Sequence, residues 1–89
     1  WRARRQWTSP HTNAIYPIDI DVETIDPETE KTRRLRLRPL VDDQEIVGKL
    51  DALSYWEGAC DVLDESDVVI GQAYVELAGY DGRLTERLR

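Results

Sequence analysis

Residues 14–25 read "AIYPIDIDVETI" and residues 33–40 read "RRLRLRPL", and the way these two stretches fit each other decides the fold. In the first, Ile18, Ile20 and Val22 alternate with Asp19, Asp21 and Glu23; in the second, Leu35 and Leu37 alternate with Arg34, Arg36 and Arg38. A period of two is the signature of a strand with one buried face. The polar "DPETEK" between them is rich in turn formers. With the turn centred between Glu28 and Thr29, Val22 faces Leu35, Ile20 faces Leu37 and Ile18 faces Pro39. On the other face Glu23 meets Arg34, Asp21 meets Arg36 and Asp19 meets Arg38. Both faces match in this one register, and a slip of one residue would set apolar against charged side chains. The acidic and basic stripes are thereby read as cross-strand ion pairs, each contributing about 0.2–1 kcal/mol and less where water screens them.

Working outward, "RRQWTS" at residues 4–9 reads as a first strand. The stretch "VDDQEIVGKLDALS", residues 41–54, reads as a loop with a short strand around Ile46–Val47; a helix over 43–53 is the second reading. The segments "SYWEGACDVL" and "VIGQAYVELAGY" are both strand-like and are separated by a turn containing "DESD". Pairing Val62 with Val69 sets Cys60 against Gly71, Gly58 against Ala73 and Trp56 against Val75, with Glu57 against Tyr74 and Tyr55 against Glu76. A shift of two residues would oppose Glu57 and Glu76 directly. Like charges so placed destabilise a sheet, which favours the first register. Gly58 and Ala73 then leave room for an indole or a backbone to pack closely. The opposite face carries Tyr55, Glu57, Tyr74 and Glu76, with Tyr80 beyond.

These segments make about six strands and no convincing helix, an all-β antiparallel meander. Such a meander closes into an up-and-down barrel at about eight strands. Six strands leave open edges, which a further domain or a homo-oligomer would have to cover. The chain of 89 residues allows one small domain. It has no Met and starts at Trp1, so it is read as a fragment of a longer protein, with a processed but complete small domain as the second reading.

The net charge of −6, from 18 acidic and 12 basic residues, disfavours nucleic acid as a partner. Arg2, Arg4 and Arg5 read as a solvated strand flank. No apolar run approaches the roughly 18 residues of a membrane span. Cys60, the single cysteine, cannot form an internal disulfide and fits a reducing, cytoplasmic compartment; it reads as a small buried hydrophobe. His11 lies in the turn-like "SPHTN". One Cys and one His give neither a metal cluster nor a Cys–His pair at local spacing.

Four strings in order, "WTSPHTNAIYPIDI" at 7–20, "DDQE" at 42–45, "YWEGA" at 55–59 and "AYVELAGY" at 73–80, resemble the C-terminal part of the AttH-like, carotenoid 1,2-hydratase-related (hydroxyneurosporene synthase) family. Ala78 stands where a threonine is expected and Asn13 where glycine is common; neither disturbs the pattern. The resemblance implies two lipocalin-like, calycin-type β-barrels in one protein, with residues 1–89 supplying most of the second and an N-terminal barrel as its partner. It also implies a hydrophobic substrate and no metal or organic cofactor. Characterised members of that family include carotenoid hydratases, the fungal kievitone hydratase and decalin-forming pericyclases of the Diels–Alderase kind.

On that resemblance the expected function is a cofactor-free hydratase or pericyclic cyclase of secondary metabolism, acting on a terpenoid- or polyketide-like molecule. Glu57, Tyr74 and Glu76 are the expected proton donors and polarising groups, because a carboxyl in an apolar pocket is held protonated towards neutral pH. Trp7, Tyr55, Trp56 and Tyr80 are the expected lining of the substrate cavity. For Trp7 and Trp56 plain core packing is the competing reading. For the two glutamates it is hydrogen bonding that stitches the barrel together. A lipocalin-like carrier that holds its ligand unchanged, or a half-barrel that only supports the other domain, are the rival functions.

Overall fold

In a computed structural model the structure describes residues 1–49 and 52–81. The alternating stretches form strands β1 (Arg2–Thr8), β2 (Ile15–Ile25), β3 (Thr32–Pro39), β4 (Glu45–Ile46), β5 (Tyr55–Leu63) and β6 (Val69–Leu77). All pairings are antiparallel, and the described residues contain no helix. The alternative helix over 43–53 is therefore not formed by the described part of that stretch; its Leu50 and Asp51 lie outside the described residues. The sheet runs β1–β2–β3–β5, with β6 on the far edge of β5. Strand β4 shares the β3 side of β5, because Trp56 pairs with Glu45 of β4 and also with Leu77 of β6. The sheet is open, and β1 and β6 are its edges among the described residues.

The β2–β3 hairpin takes the register that its charge stripes dictate: Val22 opposes Leu35, Ile20 opposes Leu37, Glu23 opposes Arg34 and Asp21 opposes Arg36. The pairing ends at Ile20, so the expected Ile18–Pro39 and Asp19–Arg38 pairs do not form. The reason lies at Asp19, whose backbone is left-handed with φ 57°. The Asp19 carboxylate receives two hydrogen bonds from Arg36, from Nε at 2.7 Å and Nη2 at 2.8 Å. Arg38 turns instead to Asp61, at 3.4 Å.

The β5–β6 hairpin corrects the expected register. Leu63 pairs with Val69, a bulge follows at Val62/Leu63, and from there Val62 pairs with Gly71, Cys60 with Ala73 and Trp56 with Leu77. Glu57 consequently faces Glu76, the arrangement that charge repulsion disfavours. The turn decides this. Asp64 Oδ1 accepts hydrogen bonds from Ser66 N at 2.8 Å and Val68 N at 3.0 Å, and Asp64 N donates to Val68 O at 2.9 Å. These contacts make 64–68 the loop and Leu63–Val69 its first pair. Opposed glutamates cost only about 0.2–1 kcal/mol, less than the hydrogen bonds of a closed turn contribute. A shift of two residues preserves the faces, so the apolar alternation is unaffected.

The core lies on one face. Tyr16, Ile18, Trp56 and Cys60 are almost fully buried, with Ala14, and Trp7, Leu37, Val75, Leu77 and Tyr80 pack against them. Residues Tyr55, Glu57 and Ala59 alternate with this set along β5 and are half-buried. At about 25 cal/mol per Å² the burial of Trp56 alone is worth several kcal/mol. Its indole N–H is satisfied by Asp42 O at 2.7 Å.

Candidate functional site

The buried chemistry of this fold is on the core face, and it begins with aromatic packing. Tyr16, fully buried, stacks against Trp7 with ring centroids 6.1 Å apart, and Tyr80 tilts onto it at 5.9 Å. Tyr80 was expected to share the outer face with Tyr74; Gly79, with φ 92°, breaks the alternation and turns it inward. Beside these rings Ile18, Ile20, Leu37, Cys60, Val75 and Leu77 line a narrow apolar crevice, with the Arg36-bound Asp19 at its wall. Burial pushes the Cys60 thiol up, so it behaves as a hydrophobe rather than a nucleophile.

At the end of this face a carboxylate gathers hydroxyls. Glu45 Oε1 accepts a hydrogen bond from Ser9 Oγ, and Glu45 Oε2 accepts from Thr12 Oγ1 at 2.7 Å and Tyr16 OH at 2.6 Å. Ser9 Oγ in turn accepts from the backbone N–H of His11 at 3.0 Å and of Thr12 at 3.2 Å. The loop between β1 and β2 is thus folded around Ser9 and tied to β4. Burial, then the hydrogen bond to Glu45, pushes the Tyr16 phenol far above its ordinary range, so Tyr16 stays a donor. His11 Nε2 meets Asp43 Oδ2 at 2.7 Å on the exposed side of the same loop, which raises the imidazole pKa. With three protein hydroxyls on it, Glu45 positions the loop.

Gln44 explains the "WEG" sequence. Between β3 and β4 the chain leaves the sheet, and Gln44 fills the gap in the ladder with its side chain. Ala59 N donates to Gln44 Oε1 at 3.0 Å, and Gln44 Nε2 donates to Ala59 O at 3.2 Å. Glu57 N donates to the Gln44 backbone O at 3.2 Å. The carboxamide lies over Gly58, where a Cβ would sit 2.1 Å from the Gln44 Cδ. Close approach at Gly58 was expected; the group that approaches is this amide.

The sheet divides the expected site residues. Trp7, Trp56 and Tyr80 come together with Tyr16 on the core face. Tyr55, Glu57, Tyr74 and Glu76 come together on the outer face, where Glu57 opposes Glu76 and Tyr74 is 70 % exposed. The Tyr55 phenol pKa is raised, first by the charge of Glu57 and then by desolvation and Glu76. The two groups lie on opposite faces of the sheet. Sequence reasoning passed over Ser9, Thr12, Tyr16, Gln44 and Glu45. The signal for them was the hydroxyl-rich "TSPHT" ahead of a buried strand and the acidic, amide-bearing "DDQE".

A one-sided apolar core on an open antiparallel sheet defines an all-β protein of the kind found in part of a barrel. The sequence matches the AttH-like family model over residues 1–80, and the chain belongs to that family. A search of the curated proteins and a search of the solved structures returned no match. No helix among the described residues is long and apolar enough to cross a membrane, and no group of three or more His, Cys, Asp or Glu among them is placed to hold a metal ion.

Proposed function

We propose that this chain is one wall of a cofactor-free enzyme that encloses a terpenoid- or polyketide-like molecule and acts on it as a hydratase or a pericyclic cyclase. The observation that carries the reading is the grouping of Tyr55, Glu57, Tyr74 and Glu76 on one sheet face in a member of the AttH-like family. Two carboxyls and two phenols on neighbouring positions of one face form a proton-handling surface once another part of the protein, such as an N-terminal barrel, covers it and excludes water. In hydration, a protonated Glu57 would give its proton to an alkene carbon. Water would then add to the resulting cation and return a proton to the carboxylate. In cyclisation, Tyr74 or protonated Glu57 would donate a hydrogen bond to a substrate carbonyl and polarise it.

In the intact protein, Glu57→Gln should lower turnover about 10²-fold or more, the scale of a lost acid–base group. Unchanged turnover in a folded variant removes Glu57 from the chemistry. A second reading, a carrier for a hydrophobic ligand, is favoured by the aromatic core face, which meets the crevice of Ile18, Leu37 and Val75. Trp56 lines that crevice. Quenching of its fluorescence by an apolar ligand recovered chemically unchanged would support the carrier.

A further inference from the structure

The loop between β1 and β2, residues 9–14, is tied to the segment 42–45 in two layers. The inner layer is the Glu45 carboxylate, which accepts from the hydroxyls of Ser9, Thr12 and Tyr16. The outer layer is the contact of His11 Nε2 with Asp43 Oδ2 at 2.7 Å, made across 32 residues of chain. The ends of the loop are buried: Ser9 is fully covered, and Ala14 belongs to the core cluster of Tyr16 and Trp56, against which Trp7 and Tyr80 pack. The loop therefore closes the aromatic end of the core face, and lifting it uncovers these rings. The two layers respond differently to pH. Serine and threonine hydroxyls do not titrate in water, and the Tyr16 phenol is held far above its ordinary range, first by burial and then by Glu45. Imidazole is the side chain that changes charge near neutrality, and His11 is the single histidine of the chain. In the loop sequence "SPHTNA" no other side chain carries a charge. The carboxylates that face His11 are Asp43, in the chain between β3 and β4, and Glu45 of β4; that of Asp42 is taken by Arg5 at 2.7 Å.

We propose that the His11–Asp43 contact is a pH-sensitive latch that holds the β1–β2 loop down over the aromatic end of the core face. Protonated, His11 is the loop's one cation against two carboxylates, and the outer layer is closed. Neutral, it leaves Asp43 and Glu45 without that countercharge, the outer layer weakens, and the Glu45 hydroxyl bonds carry the loop. The hydrogen bond to Asp43, then its charge, lift the imidazole above its ordinary pKa of 6.5. The latch is therefore fully present below 6.5 and is lost as pH rises through the raised value. Because the contact is exposed, its effect is a graded loosening rather than an all-or-none opening. The latch uses none of Tyr55, Glu57, Tyr74 and Glu76, and it stands or falls apart from the reaction proposed above.

In the full natural chain, hydrogen exchange at the amides of residues 11–13 reads loop opening, with the β2–β3 ladder as the internal control. Protection factors remove the intrinsic pH dependence of exchange. Between about pH 5.5 and about pH 8.5 the protection of the loop should fall about two- to fivefold, the range of an exposed ion pair, while that of β2–β3 stays constant. His11→Lys keeps the charge and should hold protection at the acid level throughout. His11→Gln has no charge and should hold it at the alkaline level throughout. Asp43→Asn should flatten the profile and return the His11 titration, followed by NMR, towards 6.5. Circular dichroism checks that each variant folds. Constant wild-type protection across the His11 titration overturns the proposal. So does a fall that persists in His11→Gln or in His11→Lys, or one that β2–β3 shares in equal measure.

Discussion

The hairpins β2–β3 and β5–β6 both close on an aspartate turn and differ in whether the charges that face each other agree with it. In β2–β3 every charged pair is of opposite sign: Asp21 faces Arg36 and Glu23 faces Arg34. In β5–β6 the outer face opposes Glu57 to Glu76, and the register is held by the Asp64 turn and by Trp56 in the core. The first hairpin also closes on an aspartate turn, in which Asp26 Oδ1 accepts from Glu28 N at 2.9 Å and Thr29 N at 3.4 Å, and there turn and side-chain complementarity agree. Loop geometry and a buried anchor fix the other and override a weak electrostatic penalty.

The largest effect should come from the anchor. Trp56→Ala should lower stability by about 3–5 kcal/mol in denaturant unfolding, the range for a large buried aromatic; a loss below about 1 kcal/mol would mean that the turn alone holds β5–β6. Next comes the ion pair of the first hairpin. Asn tolerates the left-handed backbone at position 19, so Asp19→Asn isolates the charge. It should cost about 1.5–3 kcal/mol, the value of hydrogen bonds to a charged group. The two Arg36 hydrogen bonds hold the Asp19 carboxyl below its ordinary pKa of 3.8. Its contribution is therefore fully present above that value and is lost as pH falls through the lowered one. Acid unfolding of wild type and Asp19→Asn should converge in that range, and a constant gap down to the lowest pH would assign the effect to packing.

Gly58→Ala should cost about 1–3 kcal/mol by displacing the Gln44 amide and its two bonds to Ala59. Combined with Gln44→Ala the losses should be less than additive; full additivity would show that the two residues act separately. The smallest effect sharpens the comparison by its sign. Glu76→Lys should stabilise β5–β6 by about 0.2–1 kcal/mol, while Glu23→Lys should destabilise β2–β3 by a similar amount. Equal signs in thermal unfolding would remove charge pairing as the distinction between the hairpins.

The same contrast explains what could be read from residues alone. The β2–β3 register was legible because both faces carry information and only one alignment satisfies them. For β5–β6 the apolar face of Trp56, Gly58 and Cys60 accepts either of two registers that differ by two residues, and the choice fell to a charge rule worth less than a turn. The turn chemistry of Asp64 was present in the sequence as "DESDV", but local patterning does not rank it against repulsion between glutamates further along both strands. The aromatic core residues were legible by alternation. The Glu45 cluster was not, because its donors Ser9 and Thr12 lie 36 and 33 residues away in the chain. Only the tertiary fold selects which of several acids they reach.

Gln44 lends its side chain to the sheet as if it were a stretch of backbone, and this makes the junction of β3 and β4 a splice. Hydrogen bonding runs on through Ala59 while the main chain between Leu40 and Asp43 is out of the ladder. The same detour is pinned at Asp42, whose carbonyl receives the Trp56 indole N–H and whose carboxylate binds Arg5, so one short segment ties the core, the first strand and the splice together.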